Sequence, residues 1–227
     1  MADIGKQNIQ ATMEALACRE TAEYIVNNGE LYVATQIEGA TEIIDWCLEK
    51  APKTGMALEF GIGFGRTLKQ IANSRFVHGF DSFKGLPEAW RSGLPKGTFS
   101  NAGMNKPTLY EKIVDTGKGM IHEGWFEDTI PKFIAEYAEE LEKGVSFIHI
   151  DSDLYSSAVT VLDAFKTYLR PRSVILFDEY WNYPGWSRNH HGEHDALMEW
   201  DVIGWEYVAY NPVGQEVAIR MKQVRNG

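Results

Sequence analysis

The chain has 227 residues, with 32 Asp and Glu against 22 Lys and Arg, for a formal net charge of −10. That length suits one domain, or one with an appendage, and buries enough surface to need no disulfide or metal staple. The acidic balance weighs against a nucleic-acid partner, whose phosphates call for a basic face, and leaves cationic ligands and metal ions open. Apolar (44%) and charged (24%) fractions are ordinary for a globular protein and argue against general disorder. Cys18 and Cys47 fall far apart in predicted helices, which is neither a disulfide framework nor a zinc site. The opening residues, Met1 to Lys6, lack the apolar stretch of a signal peptide, and no run of about 18 apolar residues exists. A cytoplasmic protein with no membrane partner is expected.

In chain order, residues 8–50 read as helical. Ile9, Met13, Leu16 and Ala17 share one face, and Asn27-Asn28-Gly29 ends that helix. Ile37, Ile43, Ile44 and Leu48 suggest another. Met56 to Phe60 is a short apolar strand, followed by a helix over 65–73 and a strand from Arg75 to Phe80. Phe133, Ile134, Tyr137 and Leu141 mark a helix with Pro131 in its first turn. Val145 to Ile150 and Ser173 to Phe177 are strands, ending at Asp151 and Asp178. The helix between them carries Val161, Leu162, Phe165 and Leu169 and should be capped near Ser156 or Ser157. Near-continuous apolar strands imply a parallel sheet covered on both sides. Trp205 to Tyr210 and Glu216 to Met221 form a plausible hairpin across Asn211-Pro212-Val213-Gly214. The expected fold is α/β, mostly parallel with an antiparallel C-terminal edge. A helical segment over 1–50 precedes the main domain over 51–227.

In such sheets ligands bind beyond the C-terminal strand ends. Acids cluster there: Glu59 within the first strand, Asp81 after the second, Asp151 after the fourth and Asp178-Glu179 after the fifth. Between strand and helix runs Glu59-Phe60-Gly61-Ile62-Gly63-Phe64-Gly65, whose glycines allow a sharp turn and a close ligand approach. A dinucleotide loop needs glycine where Arg66 stands, so NAD fits poorly. With an acid two residues before its first glycine, the loop resembles the first motif of class I S-adenosylmethionine methyltransferases. That resemblance implies that Glu59 faces the cofactor's ammonium group, directly or through water. At the end of the second strand, Asp81 can accept hydrogen bonds from both ribose hydroxyls.

The most distinctive stretches are Phe147-Ile148-His149-Ile150-Asp151-Ser152-Asp153-Leu154-Tyr155 and Phe177-Asp178-Glu179-Tyr180-Trp181-Asn182-Tyr183-Pro184-Gly185-Trp186. With Phe80-Asp81-Ser82-Phe83-Lys84-Gly85-Leu86-Pro87 and Phe126-Glu127-Asp128-Thr129-Ile130-Pro131, they resemble the macrocin O-methyltransferase family over about Glu59 to Arg220. The resemblance implies a Rossmann-like class I methyltransferase sandwich. It also implies Mg²⁺ dependence, a sugar hydroxyl of a natural product as acceptor, and a homo-oligomer, by analogy a dimer. It places Gly61, Gly63, Gly65, Arg66, Thr67, Ser82 and Phe126 with Glu59 and Asp81 around S-adenosylmethionine.

The chemistry of the residues agrees. If the two later strands are neighbours, Asp151, Asp178 and Glu179 converge, and three anions together repel unless a cation sits among them. Hard oxygen donors with room for water favour Mg²⁺. A divalent cation would lower the pKa of an alcohol and fix it in line for methyl transfer. Asp153 reads as a helix cap. Candidates for proton handling are Asp151 itself, His149, on the same strand face, and His194, in a cluster with His190 and His191 after the Trp186 loop. A buried core role competes for His149, and a solvated loop for the cluster. That loop, Ser187 to His191, is extended relative to the family pattern, in which an acid opens the next helix, and Gly192-Glu193 restores the alignment. Tyr180, Trp181, Tyr183 and Trp186 would shield the site or hold an apolar or sugar substrate, and the irregular segment 84–110 would serve as a lid. The expected function is therefore an S-adenosylmethionine- and Mg²⁺-dependent O-methyltransferase of small hydroxylated molecules. An NAD-dependent oxidoreductase and a non-catalytic binding protein of this fold are the alternatives.

Overall fold

The computed structural model describes residues 8–91, 93–100, 106–188, 192–202 and 204–222. Eight strands form one sheet: β1 (Thr35–Gln36), β2 (Met56–Phe60), β3 (Val77–Asp81), β4 (Gly119–Glu123), β5 (Val145–Ile150), β6 (Leu169–Phe177), β7 (Trp205–Tyr210) and β8 (Val217–Met221). Their order is β1-β7-β8-β6-β5-β2-β3-β4. From β4 to β6 all pairings are parallel. β8 runs antiparallel between β6 and β7, which supplies the antiparallel edge expected from the C-terminal hairpin. The helices are α1 (Ile9–Asn27), α2 (Gly29–Val33), α3 (Ala40–Lys50), α4 (Arg66–Ser74), α5 (Lys106–Ile113), α6 (Phe126–Glu136), α7 (Ala138–Leu141), α8 (Tyr155–Phe165) and α9 (Glu193–Glu199).

Strand alternation divides the core into two layers. Leu58, Phe60, Ile148, Ile150, Ile175 and Phe177 pack against α6, α8 and α9. Ala57, Phe147, Val174 and Leu176 face the other way, toward α3 and α4. Both faces of the parallel strands are covered, which is why these segments read as near-continuous apolar runs.

Several local expectations change. The Ile9, Met13 and Leu16 side of α1 points to solvent (73%, 40% and 54% exposed), and the helix docks through Ala17 and Thr21 instead. The N-terminal segment is not all helix, because β1 pairs in parallel with β7 and joins the main sheet. Pro131 lies in the interior of α6, which starts earlier, at Phe126. The N-cap of α8 is Leu154, without a side-chain cap bond, so Ser156 and Ser157 lie inside the helix and Asp153 does not cap it. No helix among the described residues is long and apolar enough to cross a membrane.

Candidate active site

β2 sits between β3 and β5, where the strand order reverses, so a crevice opens beyond its C-terminal end. The glycine loop leaves β2 at that point. Gly61 has φ +91°, and a Cβ there would stand 1.6 Å from the Asp151 carbonyl oxygen. Glycine is therefore demanded by the crossing of the β2 and β5 ends. Asp81 braces the loop: one carboxylate oxygen accepts the N–H groups of Ile62 and Gly63 (both 2.8 Å), and the other accepts that of Phe83 (2.7 Å). Gly65 caps α4.

A cavity of about 310 Å³ fills the crevice. Gly61 and Gly63 line it, with Asp81 and Ser82 from β3, Trp125, Phe126 and Glu127 after β4, Asp151 to Asp153 after β5, and Glu179 after β6. This is the scale of a small-molecule site. Gly85, Leu86, Pro87 and Phe99 cover one side. Their segment, expected to be a lid, is folded on itself: the Leu86 N–H donates to the Thr98 carbonyl and the Gly97 N–H to the Leu86 carbonyl (2.9 Å each). It is also tied down, since the Ser156 hydroxyl donates to Glu88 at 2.6 Å. Residues 101–105 of that segment lie outside the described residues.

Asp151, Asp178 and Glu179 converge as their positions at adjacent strand ends suggest, each offering an oxygen within 4.8 Å of the others. Burial, then the neighbouring Asp178 carboxylate, raises Asp151 well above the usual carboxylate range. Burial and the charges of Asp151 and Asp178 do the same to Glu179, whose Oε2 is buried with no partner among the described residues. Burial pushes Asp178 up too, but His149, Glu179 and Arg66 bring it below its ordinary value. Asp153, with φ +62°, sits at the cavity wall, and burial moves its carboxyl up to about 7 against the opposing charge of Arg91.

His149 is fully buried, and both ring nitrogens are occupied. Nδ1 lies 3.0 Å from Glu59 Oε1, and Nε2 lies 3.3 Å from Asp178 Oδ1. Burial alone would lower the ring's pKa, yet its bonds to Asp178 and Glu59 hold it well above the usual histidine range. An imidazole so clamped has both ring nitrogens engaged by carboxylates. The β2–β5 register sets Glu59 opposite His149, so its carboxylate turns to that ring, below the loop, and does not line the cavity. Thr67 lies against Glu59 and Arg66 near Asp178, so neither helix residue lines the cavity as a cofactor contact.

His194 is likewise not in the cavity wall. Its ring packs edge-on against Tyr24, Tyr180 and Trp186, and its Nδ1 lies 3.1 Å from Asp195. His190 and His191 lie outside the described residues. Tyr180, Trp181, Tyr183 and Trp186 are buried core and do not line the cavity: Tyr24 of α1 packs edge-on against Trp181 and Trp186, and Tyr183 packs against Trp90 and Arg91. The aromatic residues that do line the cavity are Phe64, Phe99, Trp125 and Phe126, the last edge-on to Phe60 with centroids 5.4 Å apart. Glu127 and Ser157, not read as site residues in the sequence, also line the cavity, and Glu193 is buried behind it. The signals for Glu193 in the sequence are its place opening a helix 14 residues after Glu179, where caps are common, and its match to the acid that opens this helix in the resembled family.

A family model described as "Methyltransferase domain" matches residues 58–180, more than half of the chain and the part that builds the cavity from β2 to Tyr180. No curated protein matches in sequence. Among solved structures, the chain is similar to the calicheamicin methyltransferase CalS11, with 20% identity, a TM-score of 0.64, and coverage of 96% of this chain and 99% of that one. An apo structure of CalS11, described as a TDP-rhamnose 3′-O-methyltransferase, gives 21% identity, 96% and 97% coverage and a TM-score of 0.58. The O-methyltransferase NovP gives 18% identity, 95% and 98% coverage and a TM-score of 0.54. At these identities the likeness is one of fold, and it is the Rossmann-like class I fold. The chain belongs to the methyltransferase-domain family.

Proposed function

We propose that this methyltransferase moves a methyl group from S-adenosylmethionine to a hydroxyl oxygen of a small molecule, with Mg²⁺ held by Asp151, Asp178 and Glu179. The observation that carries the reading is the convergence of these three carboxylates, within 4.8 Å, at the rim of a cavity that the glycine loop also lines. The donor set suits a hard cation, and the buried, unpartnered Glu179 Oε2 is an oxygen in want of one. A divalent cation there would supply Lewis acidity, lowering the pKa of an alcohol. S-adenosylmethionine would supply an electrophilic methyl group on a cationic sulfur.

The residues divide the remaining work. Gly61 and Gly63 leave room for the methionine end of the cofactor. Asp81 uses three acceptor directions on backbone N–H groups and keeps capacity for a ribose hydroxyl, with Ser82 beside it. Phe126 offers a ring face to the adenine and, with Trp125, Leu86 and Pro87, excludes water. Asp151 belongs both to the acid cluster and to the cavity wall, and we assign it the substrate hydroxyl. His149 does not touch the cavity; it locks Asp178 in one orientation.

A sugar-bearing natural product is the acceptor class we favour, on the motif resemblance to macrocin O-methyltransferases and on the described substrate of CalS11. The oxidoreductase alternative is set aside by the family match and by Arg66 in the third glycine slot. The test is methyl transfer from labelled S-adenosylmethionine to a panel of glycosides and vicinal diols, with and without EDTA. Label should appear in an acceptor hydroxyl and vanish with EDTA. Transfer undiminished by exhaustive chelation would remove the metal from the reading.

A further inference from the structure

We infer that Glu193 is a positioning residue that holds the two acid-bearing turns together and thereby sets the metal affinity of the site. The inference rests on the metal reading above. Glu193 opens α9 and is fully buried, and it does not line the cavity. Its Oε1 accepts the N–H of Ser152 at 3.2 Å, and its Oε2 accepts the N–H of Glu179 at 3.1 Å. Ser152 directly follows Asp151, and Glu179 is itself one of the converging acids. One carboxylate therefore bridges the backbone of both turns.

The sheet provides no substitute. Among the described residues, the last direct backbone bond between these strands runs from the Asp178 N–H to the Ile150 carbonyl, at 2.9 Å. Beyond it the turns separate, and the Glu193 carboxylate takes over as the cross-link. Gly192 permits the approach, since a Cβ there would stand 2.2 Å from the Tyr183 hydroxyl oxygen and 3.5 Å from the Asp153 carbonyl oxygen. Burying a carboxylate beside three other acids is costly, and a cap for a short helix does not require it. Holding two turns at a fixed separation does. Outer partners of metal ligands typically tune affinity by about 10- to 100-fold.

The test compares wild type with Glu193→Gln, Glu193→Asp and Asp178→Ala in the full chain. Mn²⁺ binding is titrated by electron paramagnetic resonance. S-adenosylhomocysteine binding and the melting temperature are measured in EDTA. The amide of Glu193→Gln has one acceptor oxygen, so one of the two N–H groups faces an NH₂. Its Mn²⁺ affinity should fall by about 10- to 100-fold, with S-adenosylhomocysteine affinity within about twofold of wild type. Glu193→Asp keeps both oxygens on a shorter stem and should weaken Mn²⁺ less. It decides the matter if the Gln variant does not fold. Wild-type Mn²⁺ affinity in the variant that folds would overturn the inference, as would equal losses of Mn²⁺ and S-adenosylhomocysteine. Failure of wild type to bind Mn²⁺, or identical binding by Asp178→Ala, would instead sink the metal reading itself.

Discussion

Replacing His149 by Ala removes the one group that separates and pairs two buried carboxylates. Glu59 is fully buried and Asp178 half-buried, and each is hydrogen-bonded to the ring. Without it, both must stay charged and unpaired or take up protons. Breaking a buried pair by deleting one partner costs about 3–5 kcal/mol. For a domain of this size each kcal/mol lowers the melting temperature by about 2–4 °C, so a fall of about 6–20 °C is expected. Differential scanning calorimetry at pH 7 in EDTA measures it. The double variant Glu59→Gln/His149→Ala should recover part of the loss, because one of the stranded charges is gone. If His149→Ala melts within about 2 °C of wild type, the clamp contributes nothing to stability and the reasoning is wrong.

Three further outcomes follow from the same geometry. In the metal-free protein, Glu59, Asp151, Asp153, Glu179 and Glu193 all have raised carboxyl pKa values, with Asp153 near about 7 and Glu193 near about 8. Their stabilising contribution is full below the ordinary carboxylate range and is lost as pH rises through the folded values, while the lowered Asp178 works in the opposite sense. The melting temperature in EDTA should therefore fall between about pH 5 and pH 8, and Mg²⁺ should restore more of it at pH 8 than at pH 5; a flat profile would contradict this. Gly61→Ala forces a Cβ against the Asp151 carbonyl and should cost more than about 4 kcal/mol, read as a drop of about 8 °C or more in melting temperature. Phe126→Ala should weaken S-adenosylhomocysteine binding by about tenfold in calorimetry while leaving Mn²⁺ binding unchanged, since the ring lines the cavity away from the acid cluster.

The arrangement also separates two tasks within one acid-rich region. Asp151 and Glu179 reach the cavity, while Glu59, His149 and Glu193 stand behind them and hold the frame. A buried His between two carboxylates orients Asp178, and a buried carboxylate between two N–H groups aligns the turns. Part of the net charge of −10 is thereby concentrated where a sulfonium and a divalent cation would meet it.

Local chemistry made much of this legible in one dimension. Near-continuous apolar runs such as Val145 to Ile150 suit strands covered on both faces, and they appear where expected. The glycine loop and the acids closing β3, β5 and β6 are likewise written in consecutive residues, so the crevice and the converging trio were foreseeable once the strands were taken as neighbours. What the linear pattern left open depends on contacts between distant segments. Glu59 turns to His149 because the β2–β5 register places them side by side, 90 positions apart in the chain. Trp181 and Trp186 are core because Tyr24 of α1 packs over them, and a run of aromatics looks the same whether it lines a pocket or fills an interior. Glu193 is an ordinary helix-opening acid in sequence, and only the folded chain brings it to the two turns that carry the site. Strand identity follows from side-chain periodicity, which is local; register, layer and partner follow from the order of the sheet, which is not.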